Sequence, residues 1–275
     1  MEPARRIGII GLGAMGCPMS RHLIASGFTV SGCDPNRQAQ EKAVALGVNV
    51  LPTPADVARE SEVVMVVVGF DSDVERVFFG AGGLIEAART GLIIGVGSTI
   101  SPSYARELGN RTGGTGIILL DMPLTRGAAA AEAGHMLVLG GGDETAFEAC
   151  RPAFDTFASD VFHLGEFGAG QTAKMANNMI LWACIAANEE ALGLAEKLGV
   201  EKERLRTALG HSSAQNWAMD RQIQNDPMPW AEKDMTIALQ EADESRIPLP
   251  LAMHVRELIK ELKIRKNYPT PRAPR

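Results

Sequence analysis

Residues 6–34 hold the strongest constraint on what this chain can fold into. An apolar run, Arg6–Ile10 (RIGII), breaks straight into Gly11-Leu12-Gly13-Ala14-Met15-Gly16; a helix-like stretch follows, then a second β-branched run that ends at Asp34. Three glycines spaced two and three apart, after a strand and before a helix, predict a parallel βαβ unit. Gly11 permits the tight turn, Gly13 lets a ligand approach the backbone, and Gly16 lets helix and strand pack closely. The alternation then continues. Phe28–Cys33, Val63–Val68, Leu92–Val96 and Gly116–Asp121 read as short strands, and Arg21–Ser26, Arg37–Leu46 and Ser103–Leu108 as helical segments between them. That order predicts an α/β fold, a doubly wound parallel sheet of the Rossmann type. Val63–Val68 (VVMVVV) lacks polar alternation, as expected of a strand covered on both faces. Met136–Gly140 and Val161–Leu164 are predicted to extend the sheet.

Beyond Gly170 the character changes. Residues 171–198 contain no proline and are dominated by Ala, Leu, Met, Glu and Lys, which predicts one long helix ending at Gly199. Lys202–Leu209, Met235–Glu244 and Leu251–Lys263 read as further helices. The 275 residues suffice for two domains: a dinucleotide-binding unit over 1–165 and an all-α substrate and oligomerisation unit over 166–275, joined by the long helix.

Composition narrows the class. Hydrophobic residues make up 45% and charged residues 22%, as in ordinary globular proteins. A net charge of −6 without a basic cluster argues against nucleic acid. The most apolar helical stretch, Met179–Ala187, is far shorter than the roughly 20 residues of a membrane span. The charged start, Met1–Arg6, does not read as a secretory signal. Cys17, Cys33, Cys150 and Cys184 show no framework spacing and read as reduced thiols of a cytoplasmic protein. Cys17, just inside the helix that follows the glycine loop, is either a low-pKa thiol at a helix N-terminus or a packing residue. The five histidines show no ligand spacing, so no metal is assigned.

The glycine loop and the helix N-terminus behind it suit a pyrophosphate. Gly11, Leu12, Gly13, Ala14, Met15 and Gly16 are therefore the candidate cofactor loop. Asp34 lies 21 residues after Gly13. A carboxylate there accepts both ribose hydroxyls of NAD and repels a 2′-phosphate, which favours NAD over NADP. Arg37 is the residue that would serve NADP instead, or else a solvated charge.

Lys174 and Asn178 stand four apart near the start of the long helix, so they share one face. Beside a nicotinamide, a lysine that takes or gives a proton makes an alcohol dehydrogenase. A free lysine, with a pKa of about 10.4, is a poor base at neutral pH. Partial burial and neighbouring positive charge are how a site lowers it.

Four ordered motifs resemble the β-hydroxyacid dehydrogenase family, which includes 3-hydroxyisobutyrate dehydrogenase and tartronate semialdehyde reductase. They are GLGAMGCPMS (11–20), DMPLTRGAAAAEAG (121–134), GAGQTAKMANN (168–178) and KDM (233–235). The resemblance implies transfer of a hydride between NAD(P) and a small 3-hydroxy acid or semialdehyde. Lys174 would be the general acid/base, with Asn178 holding substrate or lysine. Thr125, Arg126 and Gly127 fall where the family commonly has a serine and two glycines that bind the substrate carboxylate. Arg126 is the departure. It is either a clamp for a second anionic group, as in a branch that reduces sulfolactaldehyde, or a residue paired with a protein carboxylate. Lys233 would approach the substrate carboxylate, and Asp234 reads as a helix-start acid. Ser98 and Thr99 would border the nicotinamide, with helix N-capping ahead of Pro102 as their other role. The resemblance further implies a small anionic hydroxy acid or aldehyde as partner, and a homodimer or homotetramer. A reductase acting on succinic semialdehyde or sulfolactaldehyde and a non-catalytic nucleotide-binding module are the alternatives.

Overall fold

A computed structural model describes residues 5–220 and 227–269; most of the charged start and the end of the tail lie outside them. The chain divides into two compact units, 1–174 and 175–275.

In the first unit, strands β1 (Arg6–Ile10), β2 (Thr29–Cys33), β3 (Asn49–Val50), β4 (Val63–Val66), β5 (Ile93–Val96) and β6 (Ile118–Asp121) pair in parallel in the order β3-β2-β1-β4-β5-β6. The sheet then changes sense. β8 (Met136–Gly142) runs antiparallel to β6 and to the short β7 (Leu124–Thr125), while β9 (Ala158–His163) lies parallel to β8. Each central strand feeds two cores. Ile7, Ile9, Val63, Met65 and Ile93 join one apolar cluster; Ile10, Val64, Val66, Ile94 and Val96 join the other. This is why β4 shows no polar alternation. At roughly 1.5–3 kcal/mol per buried Val or Ile, either cluster alone would leave half of that driving force unused.

Helices α1 (Gly16–Ala25), α2 (Arg37–Ala45) and α5 (Pro102–Thr112) match the periodic segments read from the sequence. Four more short helices are present: α3 (Pro54–Glu60), α4 (Asp71–Phe79), α6 (Gly127–Ala133) and α7 (Glu144–Phe154). The long helix α8 spans Ala169–Lys197 and carries the chain into the second unit. There α9 (Lys202–Leu209), the single-turn α10 (Trp217–Asp220), α11 (Ala231–Ser245) and α12 (Pro250–Arg265) follow. Trp182, Ile185, Met235, Ile259 and Leu262 are central to that unit's own core. The fully buried Lys263 is held 3.2 Å from Glu232, which fastens α12 to the first turn of α11. Among the described residues no helix is long and apolar enough to cross a membrane.

Candidate active site

The glycine loop is built as its spacing requires. Gly11 has φ +97°, a conformation closed to most side chains, and a Cβ there would lie 2.5 Å from the Val67 carbonyl oxygen. Its N–H donates to the Cys33 carbonyl at 2.9 Å and ties the turn to β2. At Gly16 a Cβ would lie 1.9 Å from the Gly11 carbonyl oxygen, so α1 can begin here only with glycine. Gly13 differs: a Cβ would meet nothing within 4 Å, so its backbone faces open space. Met15 gives α1 no side-chain cap, and the first turn holds no acid. The positive end of the helix is therefore left for an anion.

Asp34 stands beside this loop. Its two carboxylate oxygens accept from the Leu12 and Asn36 amides, each at 2.7 Å. Arg37 is exposed and pairs with Glu41 one turn on. Ser98 is buried; its hydroxyl accepts from the Val68 N–H at 2.8 Å and donates to the Val66 carbonyl at 3.3 Å, joining the ends of β4 and β5. The adjacent Thr99 is half-buried. Neither caps α5, whose first turn is capped by Ser101. These residues fit a dinucleotide: the open face of Gly13 and the uncapped α1 would take the pyrophosphate, and Asp34 the ribose. Cys17 is not a low-pKa thiol, because burial is the largest influence on it and raises its pKa.

Within the first unit α8 carries Lys174, whose ammonium donates to the Leu124 carbonyl at 2.6 Å. Leu124 and Thr125 form β7, and Thr125 is buried. The lysine thus stands at the backbone of the segment read as substrate-binding. Arg126 and Gly127 turn the chain with φ values of 77° and 74°. The Arg126 guanidinium has the protein carboxylate that one of its two readings required: Nη1 donates to Asp160 at 2.6 Å, to the Ser159 hydroxyl at 2.8 Å and to the His135 carbonyl at 3.2 Å. That bond holds the Asp160 carboxyl below its usual range.

Asp121 opens the second of the four motifs and carried no expected role. It is fully buried at the end of β6 and accepts from the Gly168 amide at 3.1 Å and the Gln171 amide at 2.8 Å, so a strand residue clamps the first turn of α8. Burial raises its pKa against the pull of those amides. A Cβ on Gly141 or Gly170 would come within 2.4 or 2.7 Å of this carboxylate, so the glycines at 140–142 and 168–170 were the available signal.

In the helical unit Asn178 is buried. Its amide donates to Asp234 at 2.8 Å and accepts from the Asn177 amide at 2.9 Å. Trp182 Nε1 donates to the same Asp234 oxygen at 3.2 Å. Asp234 does sit in the first turn of α11, as expected, but its carboxylate is turned inward to orient Asn178. Lys233 lies 3.9 Å from Asp234 and 5.5 Å from the Trp230 ring centre.

Two family models match. The NAD-binding domain of 6-phosphogluconate dehydrogenase matches residues 6–165, and a family described as NAD-binding of NADP-dependent 3-hydroxyisobutyrate dehydrogenase matches 168–268. The chain is 32% identical to 2-(hydroxymethyl)glutarate dehydrogenase of Eubacterium barkeri, over 91% of this chain and 87% of that protein. It is 31% identical to L-threonate dehydrogenase of Cupriavidus necator, over 90% and 87%. Among solved structures it resembles Mycobacterium tuberculosis 3-hydroxyisobutyrate dehydrogenase with L-serine, at a TM-score of 0.83, 30% identity, and coverage of 96% and 94%. With the glycine loop, Asp34 and the lysine of α8 in place, the chain belongs to the β-hydroxyacid dehydrogenases, NAD(P)-dependent oxidoreductases acting on CH–OH groups.

Proposed function

We propose that this chain oxidises a small 3-hydroxy acid, or reduces the matching semialdehyde, with Lys174 as general acid/base. The observation that carries the reading is the Lys174 ammonium on the Leu124 carbonyl, one residue from Thr125. When bound, the nicotinamide supplies or accepts the hydride. Lys174 in its amine form takes the proton of the substrate hydroxyl; in reverse its ammonium returns a proton to the same oxygen. The Thr125 hydroxyl and the Gly127 backbone bind the substrate carboxylate, and Lys233 supplies a second positive charge. Asn178, oriented by Asp234, holds the substrate or the lysine. Arg126 keeps a protein partner in Asp160 and lies outside this set. The named substrates of two of the relatives support the class: 2-(hydroxymethyl)glutarate and 3-hydroxyisobutyrate both place the reacting hydroxyl one carbon beyond the carbon that bears the carboxylate.

Asp34 favours NAD over NADP, since its charge opposes a 2′-phosphate. The functional division runs 1–165 for the dinucleotide and 166–275 for substrate and assembly. Four free thiols suit the cytoplasm. A second copy of the chain is the partner proposed for α8. Ile180, Ala187, Ala191 and Leu194 recur at 7-4-3 spacing along one face of α8, and Ile180, Leu194 and, just past the end of the helix, Leu198 are 66%, 64% and 75% exposed.

The test is formation of reduced cofactor from 2-(hydroxymethyl)glutarate, 3-hydroxyisobutyrate, L-serine and L-threonate, each with NAD+ and NADP+. The reading expects turnover of at least one acid, with the higher kcat/KM for NAD+. No turnover of any hydroxy acid removes the substrate class, and a clear preference for NADP+ removes the role given to Asp34.

A further inference from the structure

One side chain in the first turn of α8 holds the loop that leaves β5. Gln171 is 1% exposed. Its Oε1 accepts from the Ile100 N–H at 3.2 Å, and its Nε2 donates to the Ser98 carbonyl at 2.8 Å and the Val96 carbonyl at 3.4 Å. Two carbonyls and one N–H can be met in one orientation of the amide only, so the side chain is locked. Its own N–H is meanwhile taken by Asp121. Val96 and Asp121 are register partners on the adjacent parallel strands β5 and β6. A single residue therefore stitches the carboxyl ends of two neighbouring strands to α8, at the sheet edge where doubly wound folds bind their ligands. Lys174 follows at i+3, on the same helix face.

We propose that Gln171 is a positioning residue, fixing the Lys174 amine against the 96–100 loop so that the proton leaves the hydroxyl oxygen and the hydride leaves the carbon that bears it in one aligned substrate. This rests on the proposed function, in which Lys174 moves the proton and Ser98 and Thr99 border the nicotinamide. A proton acceptor and a hydride acceptor mounted on separate elements must keep their spacing while substrate comes and goes. An error of about 1 Å at such a centre costs on the order of a hundredfold in rate. Asp121 reaches backbone alone; the Gln171 side chain is the part of the latch that grips the cofactor-side loop.

The experiment uses the intact enzyme, NAD+, and whichever of 3-hydroxyisobutyrate, L-serine and L-threonate the wild type oxidises fastest. Single-turnover reduction of bound NAD+ is followed, and the hydride step is identified by its slowing when the carbinol carbon carries deuterium. Gln171→Met removes all three bonds at nearly constant volume; Gln171→Asn keeps the amide but is one methylene too short, and carries the measurement if the first variant fails to fold. The expected result is a fall of about tenfold or more in the single-turnover rate, with cofactor Kd and the number of cofactor-binding sites per chain unchanged. A folded variant with a wild-type rate overturns the inference, as does loss of folding in both variants, which makes the residue purely structural. Lys174→Ala is run alongside. If it retains the wild-type rate, the proposed function fails, whatever Gln171 does.

Discussion

Gly13 and Gly16 are three residues apart in one loop, yet their substitution tests different things. A methyl group at Gly16 would sit 1.9 Å from the Gly11 carbonyl oxygen, while at Gly13 it would touch nothing. Gly13→Ala is therefore expected to fold with an unchanged melting temperature and to bind NADH at least about tenfold more weakly, a loss of roughly 1.4 kcal/mol. Gly16→Ala loses stability as well, and a thermal melt beside a fluorescence titration checks both. Arg126 is a second residue-scale case. Holding arginine at φ 77° costs roughly 1 kcal/mol relative to glycine. Arg126→Gly relieves that cost and gives up the bond to Asp160. Its expected outcome is a KM for monocarboxylate substrates within about twofold of wild type, because the guanidinium is engaged by the protein; a large rise for every acid tested restores the clamp. The pair has a pH signature too. Asp160 is held below its ordinary range in the folded state, so its contribution is present above the unfolded pKa and is lost as pH falls through the folded one. The stability difference between wild type and variant should move in the variant's favour on acidification.

At the scale of elements, α8 depends on a capping acid that comes from another part of the chain. Asp121→Ala strips the acceptor from the Gly168 and Gln171 amides. Leaving buried donors unpaired costs roughly 1–3 kcal/mol, which a thermal melt should read as a drop of several degrees. Asp121 by itself does not announce this clamp; the glycines that make room for its carboxylate are the one mark of it. Asp121 reads locally as the end of a strand, and only the pairing of β6 and β8 carries its carboxylate to residues 168–171. The longer strands were legible because strands buried on both faces are unbroken apolar runs; the two-residue β3 and β7 were not. The long helix was legible because 29 residues average out local noise. Four short helices of the first unit and the single-turn α10 were not. α6 is a run of alanines without periodicity, α7 contains Pro152, and α3 and α4 are only seven and nine residues long. The antiparallel β8 lies beyond any run-by-run reading, since an apolar segment carries no mark of its direction. Lys174, Asn178 and the glycine loop stood out because their spacing is their chemistry. Gln171 and Asp234 did not, since an amide or acid on a helix reads the same whether it faces water or a buried partner.

The whole molecule comprises a two-core α/β unit and a helical unit with its own core, traversed by one helix that carries Lys174 at the end of the first and Asn178 in the second. The apolar row on that helix predicts self-association: light scattering on the eluted protein should give a dimer or tetramer mass, and Leu194→Glu together with Leu198→Glu should lower it. A monomer mass for the wild type removes that partner. The proposed chemistry turns on the Lys174 nitrogen at the Leu124 carbonyl. Lys174→Ala should bind NADH with a Kd within about threefold of wild type and lose about a hundredfold or more of its hydroxy-acid turnover, the scale of a general base removed. A variant that still turns over its best hydroxy acid at nearly the wild-type rate contradicts the role of Lys174 as general acid/base.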